Sequence, residues 1–219
     1  METKNIYLIS GMGANEKVFE RLNLDGYNLN FIDWIIPHKN EAIEDYAKRM
    51  SKNIDTRGEV ILIGLSFGGI MVQEIAKLIE TNKIVIISSI KNRNELPALY
   101  KISSTLKLHK LIPSFFFHNT KILSKLLFGK NSESLIRIME RFFTMRDIRY
   151  SKWAMDIVVN WKESSLTTDL LHIHGTKDTV FPAKHINNAI FVEDGTHLMI
   201  FNKATTVSKH ILNFLKKQD

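Results

Sequence analysis

The chain has 219 residues, 44% hydrophobic and 24% charged, enough for one globular domain with a full core and room for an inserted subdomain. It contains no cysteine, which excludes disulfides, a thiolate nucleophile and Cys-ligated zinc, and fits a reducing compartment. The net charge of +7 is uneven, because residues 91–163 hold 14 Lys and Arg against 6 Asp and Glu while the remainder holds 16 against 17. That surplus reads either as the solvated faces of several helices or as a surface that attracts anionic lipid or an acidic substrate. The basic residues are scattered and no recognised binding module accompanies them, so nucleic acid is not an expected partner.

The chain opens on a short strand-like run, residues 5–9, that ends at Ser10-Gly11-Met12-Gly13. No basic leader with a longer apolar stretch precedes it, and no apolar run approaches about 18 residues, so the expectation is a cytoplasmic protein without a signal peptide or spanning helix. Residues 16–22 read as a short helix, and residues 27–35 as a strand stopped by Pro37. Residues 40–53 are helical, with Ile43, Tyr46, Ala47 and Met50 at helical spacing. The apolar run 59–63 predicts a buried strand, residues 70–79 a helix, and residues 83–88 another continuously apolar strand of the kind a parallel sheet buries on both faces.

The strand–helix rhythm then breaks. Residues 92–165 show no convincing strand alternation, and 99–111, 120–128 and 132–143 carry Leu, Ile and Phe at helical spacing, punctuated by Pro97, Pro113 and Gly129. The rhythm returns with a strand at 169–174, a loop at 175–178, a short helix at 182–187, a strand at 188–192, a loop at 194–197 and a final helix at 203–217. The expected fold is α/β: a mostly parallel sheet of about six strands flanked by helices, with an inserted helical cap. Residues 1–90 and 166–219 form its core and residues 91–165 the cap. No internal repeat or low-complexity tract is present.

The stretch with most chemical content is Gly64-Leu65-Ser66-Phe67-Gly68-Gly69, set between a predicted strand and a predicted helix. Glycines two residues to either side of a serine permit a sharp, strained turn that exposes the hydroxyl above a helix N-terminus. A serine hydroxyl is a poor nucleophile at neutral pH and needs a base, which in turn needs a group to fix its tautomer. Asp178 and His197 fall on loops after later strands, at the sheet edge where Ser66 must emerge. They are the candidate orienting carboxylate and general acid/base. For a developing oxyanion the candidate donors are the Phe67 N–H and the Met12 N–H of the loop after the first strand.

These motifs resemble the α/β-hydrolases. The likeness rests on Ser10-Gly11-Met12-Gly13, the Ser66 elbow, His174-Gly175-Thr176-Lys177-Asp178-Thr179-Val180-Phe181-Pro182 and Gly195-Thr196-His197, in the family's order along nearly the whole chain. It implies a minimal α/β-hydrolase fold and a serine hydrolase of the carboxylic ester class, cleaving an ester or thioester through an acyl-enzyme without a cofactor. The chain departs from the pattern where Ser10-Gly11 replaces the frequent His-Gly, and where the family's first two antiparallel strands are missing. Serine at the elbow tip argues against the dehalogenases but does not separate esterases from acyltransferases, amidases or C–C bond hydrolases. A non-catalytic binding protein of the same fold is the rival from another class.

Several residues carry two readings. Trp34, and Phe115 and Phe116 of the run 115–117, are candidate substrate-binding groups; each could equally pack the core or the cap. Trp153 and Trp161 are similarly placed between packing and pocket. His172 and His174 share a strand face near Asp178, but no third ligand stands at a telling spacing, so no metal is expected. Contact of the basic cap with a membrane surface could coexist with catalysis.

Overall fold

The apolar runs expected to be strands pair into one sheet. In the computed structural model, which describes residues 4–113, 115–116, 119–130, 132–162 and 168–217, the strands are β1 (Lys4–Ile9), β2 (Tyr27–Phe31), β3 (Val60–Leu65), β4 (Lys83–Ile87), β5 (Asp169–Gly175) and β6 (Ile190–Val192). They lie in the order β2-β1-β3-β4-β5-β6 with every pairing parallel. β3 and β4 are buried at every position, as a sheet covered on both faces requires.

Side chains alternate between the two layers with the period of two that strands impose. Tyr7 and Ile9 of β1, with Leu62, Ile84 and Ile86, pack against α1 (Ile43–Ser51) and α2 (Phe67–Ile75). Ile6 and Leu8, with Ile61, Ile63, Val85 and Ile87, face α8 (Ala204–Leu215) and the short α7 (Met199–Asn202). The strand order reverses between β1 and β3, so the ends of these strands open a crevice at the sheet's C-terminal edge, where parallel sheets bind ligands.

Between β4 and β5 the chain forms α3 (Ala98–Leu106), α4 (Thr120–Phe128), α5 (Glu133–Phe142) and α6 (Ile148–Asn160), with no strand among the described residues. Trp153 and Trp161 tie this segment to the core: the Trp153 indole donates to the Glu41 carbonyl at 2.8 Å, and the Trp161 indole to the Glu74 carboxylate at 2.6 Å. The boundary placed at 165–166 falls in residues 163–167, outside the described residues.

Several element limits differ from expectation for local reasons. The helix expected over 99–111 breaks at Lys107, whose φ of 56° is left-handed, and continues as a 3-10 turn. The strand expected over 27–35 ends at Phe31, where the sheet edge ends. α2 starts at Phe67 rather than at residue 70, because the turn at Ser66 leads straight into it. The last helix forms as expected, as α8, and the short α7 precedes it where no element is expected. No described helix is long and apolar enough to cross a membrane.

Candidate active site

Ser66 sits in the turn between β3 and α2 at φ 54°, ψ −117°, a conformation that costs a non-glycine residue strain. The flanking glycines make the turn possible. A Cβ on Gly64 would lie 2.3 Å from the Gly68 carbonyl oxygen, and one on Gly68 would lie 2.2 Å from that of Ile9. The first approach closes the turn and the second presses α2 against the end of β1. The Ser66 N–H donates to the Ile87 carbonyl at 2.8 Å, and the Ser89 hydroxyl donates to the Ser66 carbonyl at 2.7 Å, so the end of β4 and the loop after it hold the turn from the side.

Asp178 and His197 come from the loops after β5 and β6. These loops are closed on each other, because Lys177 N–H donates to the Gly195 carbonyl at 2.8 Å and a Cβ on Gly175 would lie 2.2 Å from that same oxygen. The result is one hydrogen-bonded chain. His197 Nδ1–H donates to Asp178 Oδ2 at 2.8 Å, which leaves Nε2 as the acceptor of the Ser66 Oγ–H, also at 2.8 Å. The other Asp178 oxygen accepts from the Val180 and Phe181 N–H groups at 2.8 and 2.9 Å. Burial alone would push the Asp178 carboxyl up. The charge and hydrogen bond of His197, the nearby His174 and the Phe181 N–H outweigh it and hold the group below the ordinary carboxylate range.

The loop after β1 is held by residues from three parts of the chain. The Trp34 indole N–H reaches Ser10 Oγ at 3.0 Å and the Gly11 carbonyl at 2.9 Å, and the Ser10 hydroxyl donates to the Ala14 carbonyl at 2.5 Å. Gly13 donates its N–H to the buried Tyr150 hydroxyl of α6 at 3.2 Å and accepts from the Thr144 and Met145 N–H groups, both at 3.1 Å. Among the described residues neither the Met12 nor the Phe67 N–H has an acceptor. Both residues line the cavity that opens over Ser66.

That cavity has a volume of about 300 Å³ and is mostly apolar. Ser66 and His197 lie in its wall with Met12, Phe67 and Val180 from the core side, Met155 from α6, and Ile112, Phe116, Ile122 and Leu126 from the α3–α4 side. Phe116 therefore borders the cavity, whereas Phe115 does not and is 57% exposed; Phe117 lies outside the described residues. Trp34 also departs from its expected place. It is buried behind the wall, stacked on Phe67 with centroids 5.0 Å apart, because its indole N–H is taken by the Ser10–Gly11 loop.

Trp34, Ser10 and Tyr150 hold the loop after β1 in ways that sequence reasoning missed or misplaced. The available signal was slight: Ser10 stands where the family often has histidine, and nothing around Tyr150 marks it. His172 and His174 are aimed into the protein. His174 Nε2–H donates to the Phe181 carbonyl at 2.8 Å, and its Nδ1 then accepts from His172 Nε2–H at 3.3 Å.

No protein-family model and no curated protein sequence matches the chain. Solved structures do. A lipase-esterase related protein from Clostridium acetobutylicum matches over 97% of this chain and 95% of its own, at 17% identity and a TM-score of 0.69. A hydrolase from Oleispira antarctica matches over 100% and 93%, at 16% identity and a TM-score of 0.74. An N-acyl homoserine lactonase solved with N-hexanoyl homoserine matches over 100% and 91%, at 13% identity and a TM-score of 0.69. At such identities the likeness establishes architecture: the chain has the α/β-hydrolase fold.

The histidine pair sets a pH dependence. Burial, first of all, lowers the affinity of both rings for protons, strongly for His172, where neighbouring His174 and Lys91 add to it. The unfolded chain therefore binds more protons than the folded one just below the ordinary histidine pKa of about 6.5. Stability must fall as pH drops from 7 toward 5. The depressed Asp178 carboxyl works in a lower window, its contribution being lost only as pH falls below the ordinary carboxylate pKa. Urea unfolding at pH 7, 6 and 5 should show this slope. His172→Phe should reduce it by up to one proton, about 1.4 kcal/mol per pH unit.

Proposed function

We propose that the protein is a serine hydrolase that cleaves a carboxylic ester or thioester with an apolar acyl group. The observation that carries this reading is the chain Ser66–His197–Asp178, with both links at 2.8 Å, opening into an apolar cavity. Ser66 Oγ attacks the acyl carbonyl as His197 Nε2 takes its proton. Asp178 stabilises the imidazolium so formed. The Met12 and Phe67 N–H groups, which have no acceptor among the described residues, receive the negative charge on the carbonyl oxygen. Collapse expels the leaving group, protonated by His197, and leaves an acyl-Ser66. Water, deprotonated by His197, attacks this ester and returns the serine.

The helical segment between β4 and β5 acts here as a cap. It supplies the apolar wall that seats the acyl chain and shields the reaction from water. It also fixes the oxyanion loop through both backbone groups of Gly13. The lactonase of the same fold was solved with a hexanoyl compound, and an apolar acyl group of that kind suits the cavity lining here.

A fluorophosphonate probe should label the wild-type protein and leave Ser66→Ala unlabelled; labelling that survives the substitution would remove Ser66 from its role. Tyr150→Phe deletes the acceptor of the Gly13 N–H without changing the ring. With p-nitrophenyl hexanoate it should lower kcat about tenfold and leave KM within about twofold, since the loop's task arises in the transition state. A change confined to KM would instead make Tyr150 a pocket residue.

A further inference from the structure

The surface of the helical segment shows a second property that the proposed chemistry does not use. Residues 96–130 contain six lysines and neither Asp nor Glu. They also hold nine of the fifteen exposed large hydrophobic side chains found among the described residues. α3 buries none of its nine residues, yet Leu99, Ile102 and Leu106 recur on it at spacings of three and four, the stripe that a helix normally turns inward. Leu99 is 69% exposed, Leu106 63%, and Leu111 in the following turn 77%. This apolar surface runs into the cavity: Phe116, Ile122 and Leu126 are exposed and line it at the same time.

We propose that this face docks on an anionic lipid bilayer, with the cavity mouth turned toward the membrane. The pattern of side chains selects that occupant. Lysines alternate with aliphatics along the chain as Leu106-Lys107-Leu108, Lys110-Leu111, Lys121-Ile122 and Lys125-Leu126. A headgroup layer accommodates both at once, taking the aliphatics below the phosphates while the lysine stems carry their charges up to them. Lys110 is engaged by Asp156 at 3.5 Å and Lys101 by the Asn94 carbonyl at 3.1 Å. Lys107, Lys121, Lys125 and Lys130 are exposed and have no acidic partner among the described residues. A second copy of the chain would cover the leucines but set the same acid-free run of lysines against itself, a like-charge contact that opposes pairing. Exposed leucines and phenylalanines gathered on one segment in this way mark a surface that something covers.

The docking is independent of the chemistry at Ser66, and the test separates the two. Ser66→Ala protein is floated with vesicles of phosphatidylcholine alone or with 30% phosphatidylglycerol, at low and high salt. The expected result is flotation with the anionic vesicles at low salt and binding weaker by more than about a hundredfold with neutral ones, which lack the attraction for all the lysines at once. Lys107→Gln/Lys121→Gln/Lys125→Gln should weaken it about a hundredfold, and Leu99→Gln/Leu106→Gln/Leu111→Gln should abolish it. None of these six side chains lines the cavity, so in the Ser66 background both triple variants should keep the wild-type circular dichroism and p-nitrophenyl ester activity. Failure to float with either vesicle would overturn the proposal. So would flotation indifferent to the leucine substitutions, which would reduce it to loose charge attraction. A dimer by light scattering that the leucine variant dissolves would assign the face to a second copy instead.

Discussion

The site depends on the approach of Gly68 to the end of β1. Two backbones meet there with no room for a methyl group, since a Cβ on Gly68 would stand 2.2 Å from the Ile9 carbonyl oxygen and 2.4 Å from that of Ser10. This contact seats the first turn of α2 directly against the strand that delivers the loop 10–14. The serine at the head of α2 and the N–H groups of that loop therefore share one cavity. The strain at Ser66 is the local consequence, held by hydrogen bonds to Ile87 at the end of β4 and to Ser89 just after it. A second closure of the same kind, Gly175 on Gly195, brings the Asp178 and His197 loops together. Two glycine contacts thus set four loop ends at one sheet edge.

What was legible in the sequence follows from this. Glycines at close approaches stand near the residues they position, so Gly64, Gly68, Gly175 and Gly195 mark Ser66, Asp178 and His197 by local spacing. Continuous apolar runs identify the central strands β3 and β4, because both their faces are covered, and the alternation of strand and helix places the other four beside them. Groups that act from a distance left no such mark. Tyr150 lies 137 residues from the Gly13 N–H it receives, and only the packing of α6 brings them together. Trp34 was visible as an aromatic at the functional edge, but one indole N–H decides whether such a ring lines a cavity or braces a loop. The exposure of α3 was likewise hidden, since helical periodicity says that a helix has an apolar stripe and not that the stripe is covered.

The segment between β4 and β5 does three things with one set of helices. Its inner side, through Phe116, Ile122 and Leu126, forms the apolar wall opposite Ser66. Its C-terminal part grips Gly13 through Thr144, Met145 and Tyr150, while Trp153 and Trp161 anchor α6 and its C-terminal end to Glu41 and Glu74. Its outer side carries the lysines and exposed leucines. The two ends differ accordingly: residues 143–162 are tied to the core by hydrogen bonds, whereas α3 is bound to it by no buried residue of its own. A change in how α3 and α4 are covered would alter the cavity wall and leave the loop 10–14 in place.

In the proposed reaction this constrained turn presents Ser66 as the group that accepts the acyl chain. Rapid mixing with p-nitrophenyl hexanoate, acid quenching within the first turnover and peptide mass analysis tests it directly. One hexanoyl group should appear on the peptide that contains Ser66, together with a burst of p-nitrophenol. Turnover with no acylated peptide, or with the acyl group on another residue, would contradict it.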